Sequence, residues 1–223
     1  MTALRVLTWN LFHGRSVPET PHALLPEFAA LLASWEWDVA LLQEVLPWWP
    51  VALGRAADAS VRMALTSRNV LPALQRRIAE PLPHILKSWS GGSNAILVRG
   101  QPIVEHRIAR LRLLPEQRVA HGVRLADGTW ITNLHAQAHD ERHAQADLDR
   151  AAEATTAWAA GTPTVIGGDL NLRGEPTAFG YRHLAGHGVD HVLGRDLRAA
   201  GRGRTLPRGT LSDHAPLMVT LER

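Results

Sequence analysis

The chain has 223 residues, 45% of them hydrophobic and 20% charged, which suffices for one packed domain of ordinary globular composition. Cysteine is absent, which excludes disulfides, cysteine-ligated zinc and thiol catalysis; any metal falls to Asp, Glu, Asn or His, a donor set suited to hard ions such as magnesium or manganese. The net charge is +3 and Lys87 is the only lysine, so positive charge is almost all guanidinium, but the excess is too small to argue for nucleic-acid binding by itself.

Leu4 to Leu11 reads as a buried strand carrying Asn10 and followed by His13-Gly14. Pro26 opens a helix with Leu24, Leu25, Phe28, Leu31, Leu32 and Trp35 at helical spacing. A second strand, Asp38 to Gln43, stops at Glu44, and a proline-bracketed loop from Val45 to Pro50 holds Trp48 and Trp49. Signals weaken from Val51 to Trp89, where Asn69 caps an expected helix over Val70 to Ala79 that Pro81 and Pro83 stop.

Strands are expected at Ser93–Arg99, Ile103–Leu111, Val119–Leu125 and Trp130–Leu134, with turns at Gly100 and Asp127-Gly128. Asp140 to Ala160 is the clearest helix, with Leu148, Ala151, Ala152, Thr155, Trp158 and Ala159 as its buried stripe. Thr164 to Ile166 then leads through Gly167-Gly168 to Asp169 and Asn171. The glycines let the backbone bend or be approached closely, and residues two apart face the same way while the chain stays extended. Short strands at Asp190–Leu193 and Ala215–Leu221 complete the chain, the second entered through Ser212-Asp213-His214. Strands outnumber helices, so sheets packed face to face with helices outside are expected.

Asn10, Glu44, His135, Asp169, Asn171 and Asp213-His214 all sit at or just beyond the edge of an apolar run, and Asp190 opens one. Strands ending at one rim would gather them into a single pocket. Singly, each has an ordinary reading as a turn former, a surface charge or a strand-end histidine. Together, coincidence becomes a poor explanation.

Thr8-Trp9-Asn10, Leu42-Gln43-Glu44, Asn94-Ala95-Ile96-Leu97, Thr132-Asn133-Leu134-His135, Gly168-Asp169-Leu170-Asn171, Val189-Asp190-His191 and Ser212-Asp213-His214-Ala215-Pro216 resemble, in order, the motifs of the endonuclease/exonuclease/phosphatase superfamily. The resemblance runs from Leu4 to Leu221. It implies an α/β fold, a four-layer sandwich with two central mixed sheets flanked by helices, and a metal-dependent phosphoesterase. It also implies roles. Glu44 would be the main ligand of Mg2+ or Mn2+, helped by Asn10 and Asp213. Asp169 would position or deprotonate the attacking water, and Asn171 would hold the phosphate or a second ion. His214, oriented by Asp190, would meet the phosphate as an imidazolium or act as a base, while His135 would stabilise the phosphorus centre or protonate the leaving oxygen.

Adjacent residues on a regular strand face opposite sides, so Asp213 and His214 can share the pocket only where the backbone is irregular. Asn133 to Gln137 departs from the Tyr-Pro-Asn-like segment of the abasic-site repair branch, which favours the His-bearing branches. Those include deoxyribonucleases, sphingomyelinases and inositol-phosphate phosphatases.

Weaker signals stay open. His135, His139 and His143 recur every fourth residue, but a strand end and a helix start share no face, so zinc is disfavoured. Trp48 and Trp49 either overhang the pocket and bind substrate or pack their loop onto the following helix. Arg118 either lies near the phosphate or forms a surface ion pair. Arg76, Arg77, Arg202, Arg204 and Arg208 are most simply solvated. The expectation is a cytoplasmic, monomeric phosphodiester hydrolase of one domain without stable membrane insertion. Nucleic acid is one candidate substrate. A phosphomonoesterase, a phospholipid-headgroup hydrolase and a noncatalytic binding protein are the rivals.

Overall fold

The computed structural model describes residues 3–66 and 92–223; the helix expected over Val70 to Ala79, with Arg76 and Arg77, lies outside them. The first of two mixed sheets has the order β11 (Arg198–Ala199), β13 (Leu217–Glu222), β1 (Leu4–Asn10), β2 (Val39–Val45), β4 (Ser93–Val98), β3 (Ser60–Leu65), with β12 (Arg204–Thr205) also paired to β13. The second has the order β5 (Ile103–Arg112), β6 (Arg118–Leu125), β7 (Trp130–His135), β8 (Thr164–Asp169), β10 (Asp190–Arg195), β9 (Arg182–His187). Three helices among the described residues flank them: α1 (Leu25–Ser34), α2 (Pro50–Ala56) and α3 (Glu141–Ala159).

Strand alternation divides the apolar side chains into three cores. Leu7, Trp9, Ala40 and Leu42 face α1 and α2, where Trp9 meets Phe28 with ring centroids 5.1 Å apart. Val6, Leu41, Ile96, Ile131 and Val165 meet between the sheets. Ala120, Leu134 and Ile166 face Leu148, Ala151 and Ala152 of α3. The result is the expected helix–sheet–sheet–helix order. Each fully buried Leu, Ile or Phe contributes roughly 1.5–3 kcal/mol.

The long helix starts where expected because Asp140 accepts from the amides of Arg142 and His143, and it stops at Ala160, which turns left-handed at φ 46°. Beyond the expectations, α2 replaces part of the weak region after Pro50. Its Gly54 lies where any Cβ would collide with Val61 of β3, so tight packing, not helix propensity, chose the residue. The largely exposed β3 and β9 and the two-residue β11 and β12 also carried too little apolar patterning to be seen.

Along the space between the sheets the strands pass through three strata. Val6, Leu41, Ile131 and Val165 are apolar. Next, Gln43 Nε2 donates to Asn133 Oδ1 at 2.8 Å and to Thr8 Oγ1 at 3.1 Å, while Asn133 Nδ2 donates to the carbonyls of Leu42 and Ala95, both at 2.9 Å. These amides tie the sheets together with their polar groups satisfied. One step further along the same faces stand Asn10, His135 and Asp169.

Candidate active site

The parallel pairs β1–β2 and β7–β8 end at one rim, with Asn10 opposite Gln43 and His135 opposite Asp169. Gly168 permits the second pairing: at φ 147° any Cβ there would strike the carbonyl of Leu134. Gly167 serves the other face, where a Cβ would come within 2.7 Å of Leu41 on the opposite sheet.

Glu44 reaches the pocket against the alternation rule. Leu42 and Gln43 already occupy the two faces of β2, so a regular strand would point Glu44 toward the helices. Instead the β2–β4 register shifts between Leu42 and Val45, and Glu44 takes φ 49°. This bulge re-aims the carboxylate. Its oxygens lie 3.1 Å from His13 Nε2 and 3.9 Å from His135 Nε2.

Asp169 is the hub. It is almost fully buried; Oδ2 accepts from Asn10 Nδ2 at 3.0 Å and Oδ1 from the Asn171 amide at 3.1 Å. The same Oδ2 stands 3.6 Å from His135 Nε2 and 3.8 Å from His214 Nε2. On the far side, His214 Nδ1 pairs with Asp190 Oδ2 at 2.8 Å. An arc of alternating imidazoles and carboxylates results: His13, Glu44, His135, Asp169, His214, Asp190.

The electrostatics follow from burial. Desolvation first, then the Asp190 charge, push the Asp169 carboxyl well above the usual carboxylate range. Burial works against a charged His214, but the hydrogen bond and charge of Asp190, with Asp169 and Asp213 behind them, outweigh it and push the imidazole up to about 9. At neutral pH His214 is therefore a cation with both nitrogens protonated.

The irregular backbone that Asp213 and His214 require is present. Ser212 takes φ 62°; its hydroxyl donates to the Asn10 carbonyl at 2.7 Å and accepts from the His214 amide at 3.0 Å. Asp213 is the most exposed of the group, its Oδ1 4.0 Å from His214 Nε2. Asn171 departs from the expected extended geometry. At φ 50° it leaves β8, and its Nδ2 donates to the Ala136 carbonyl at 3.1 Å, bracing the segment after His135. Arg118 is 4% exposed, bound to Glu116, and it lines the cleft beside Glu44 and His135.

The tryptophan pair does not overhang the pocket. Trp49 is buried against Phe28 (5.5 Å between ring centroids) and against Gly14, where any Cβ would clash with its ring, and Trp48 packs on the same core. His139 and His143 line the cleft wall, but His139 lies in a loop and His143 in the first turn of α3, so no shared helical face unites them with His135. His13 received no role from the sequence. Its φ of 52° in a one-turn helix places it beside Glu44, and the Gly14 that follows was the available signal.

Asp169, Asp190 and His214 can offer ligand atoms within 4.8 Å of one another, and Asp190 Oδ1 is buried without a hydrogen-bond partner. The two carboxylates suit a hard divalent cation, whereas a doubly protonated His214 has no lone pair to offer one; Glu44 stands beyond His135, 3.9 Å from its Nε2. Asn10 Oδ1 meanwhile accepts from the Phe12 amide at 2.9 Å. A cavity of about 660 Å3, lined by His13, Glu44, Arg118 and His135 among others, opens on one side of the arc. A second of about 470 Å3, lined by Asp190, Asp213 and His214 with Arg173 and His187, opens on the other. No helix of the described residues is long and apolar enough to cross a membrane.

Comparison with known proteins shows the family and the fold. The model of the Endonuclease/Exonuclease/phosphatase family matches residues 7–214. Similar solved structures include an endonuclease/exonuclease/phosphatase from Bacteroides vulgatus (13% identity, TM-score 0.71, 100% of this chain and 99% of that one). A mannosyl-6-phosphatase from Bacteroides thetaiotaomicron (14%, 0.71, 99% and 100%) and TDP2 from Caenorhabditis elegans (16%, 0.66, 99% and 74%) are also similar. No curated protein matches the sequence significantly.

Proposed function

The chain belongs to the endonuclease/exonuclease/phosphatase family of phosphoester hydrolases, and on that premise we propose that it hydrolyses phosphodiester bonds with a divalent cation. One observation carries the choice of a diester: the arc of imidazoles and carboxylates lies between two cavities. A phosphodiester has a substituent on each side of phosphorus and can fill both; a phosphomonoester needs one.

The reaction adds water across one P–O bond, giving a phosphomonoester and an alcohol. Glu44, Asp213 and Asn10, with Asp169 and Asp190 adjacent, would hold Mg2+ or Mn2+. Bound there, the ion would supply positive charge against the negative charge growing on the phosphoryl oxygens and make water easier to deprotonate. Asp169, with Asn10 on one side and His214 Nε2 on the other, orients the attacking water and takes its proton. His214, held cationic by Asp190, donates from Nε2 to a phosphoryl oxygen. His135, on the opposite side of Asp169, donates a proton to the leaving oxygen as the P–O bond breaks. Asn171 braces the His135 segment, and Arg118 adds a guanidinium on the cleft wall.

Turnover of bis(p-nitrophenyl) phosphate, p-nitrophenyl phosphate, plasmid DNA and sphingomyelin, each with Mg2+ or Mn2+ and with EDTA, tests the reading. Diester cleavage that EDTA abolishes is expected. Faster turnover of the monoester would assign the second cavity to something other than substrate and overturn the diester reading.

A further inference from the structure

Ser212-Asp213-His214 has to hold a left-handed residue and two divergent side chains in register, yet it lies in a loop outside any strand. The segment leading into it contains Arg208, which the sequence alone leaves as a solvated charge. In the fold its Nη1 donates to the carbonyl of Ser212 at 2.6 Å and of Leu211 at 3.1 Å, and approaches that of Gly209 at 3.5 Å. Ser212 is also tied from the other side, its amide donating to the Arg15 carbonyl at 2.9 Å and its hydroxyl to that of Asn10. The His214 amide then closes onto the Ser212 hydroxyl.

We propose that Arg208 is a positioning residue for the reaction: its guanidinium gathers the carbonyls of the 209–212 turn and so sets where Asp213 and His214 stand relative to Asp169. The physical argument rests on the strain at Ser212. A serine at φ 62° is disfavoured by roughly 1–2 kcal/mol relative to the right-handed conformation and persists only where surrounding bonds over-determine it. Ser212 is held by bonds to the Arg15 and Asn10 carbonyls and the His214 amide, all neutral, and Arg208 adds the charge-assisted one, a stronger type. All three contacts are made by the single nitrogen Nη1, so a lysine ammonium, with its protons also on one nitrogen, keeps part of the array where alanine keeps none. Arg208 does not line either cavity beside the arc, so its effect reaches the substrate only through the turn.

The inference rests on the hydrolase reading, and the test separates the two. Wild type, Arg208→Lys and Arg208→Ala are compared for bis(p-nitrophenyl) phosphate turnover with Mn2+, for thermal midpoint, and for amide hydrogen exchange. The expected result is a fall in kcat of about 100-fold in Arg208→Ala, the size expected from displacing a catalytic group by about 1 Å, with KM nearly unchanged. Arg208→Lys should be intermediate, added guanidinium should partly restore Arg208→Ala, and exchange should quicken at residues 209–214 while α3 stays protected. Wild-type kcat in Arg208→Ala overturns the proposal. So does a general loss of protection with a collapsed thermal midpoint, which would make Arg208 part of the scaffold. If the wild type cleaves no phosphodiester, the functional reading fails on its own, and the exchange pattern still decides whether Arg208 holds the turn.

Discussion

The two ends of β1 and β2 are built on opposite principles. At the closed end, two arginines are fully engaged. Arg5 grips both Asp38 oxygens, at 2.8 and 3.1 Å, and its amide donates to the same carboxylate at 2.7 Å. Arg99 donates to the carbonyls of Ala57 and Trp35 at 2.7 and 2.8 Å and lies 3.8 Å from the Trp37 ring centre. At the open end, Glu44, Asp169, Asp190 and Asp213 crowd together, and the backbone is strained. Nine non-glycine residues among those described have positive φ, and six of them (Phe12, His13, Glu44, His139, Asn171, Ser212) lie in or beside the arc. One end of the same strands holds the sheet together; the other spends stability on geometry.

The sharpest way to break this contrast is to remove charge at each end. Glu44→Ala and Asp169→Ala should each cut phosphodiesterase activity by at least about 1000-fold, equivalent to about 4 kcal/mol of barrier, while Asp169→Asn should leave the thermal midpoint unchanged or higher. A full rate in both alanine variants would dismantle the site. Arg99→Ala should do the reverse, costing about 3 kcal/mol of stability in urea melts and leaving kcat intact, because it orphans several carbonyls and a tryptophan face.

Asp38→Asn should cost less, about 1 kcal/mol, because the pair is partly solvated. Burial alone would raise the Asp38 carboxyl, but the bonds from Arg5 overcome it and hold the pKa below its ordinary 3.8. Its contribution is therefore complete above that pH and fades as pH falls below it, and the variant should show a flatter acid limb.

The open end carries a pH dependence of its own. With the His214 pKa pushed up to about 9 from 6.5, its contribution to the stability of metal-free protein is complete below pH 6.5 and is lost as pH rises through 9. A His214→Asn variant should lose that alkaline slope in melts recorded from pH 6 to 10. An unchanged slope would assign it to another group.

Legibility differs between the two ends for the same reason. The closed end and the cores are alternation and helical spacing, which are local, so Val6, Leu41, Val165 and the α3 stripe could be read directly. The strand-end positions of Asn10, His135, Asp169 and Asp190 were legible too, since a polar residue closing or opening an apolar run stands out. Gly167-Gly168 was readable as a close approach, although the partners, Leu41 and the Leu134 carbonyl, were not.

The amino-acid order by itself determined the layered α/β architecture, the motif set of the family and the residues gathered at the rim. Tertiary structure alone decided how they are aimed. Glu44 faces the pocket because of a register shift against β4, and Trp49 turns inward because Gly14 leaves room for its ring. Asn171 braces a neighbouring segment, and Arg208 finds carbonyls where a solvated charge was expected. Each of these depends on where a second piece of chain arrives, and no pattern within a single segment carries that information.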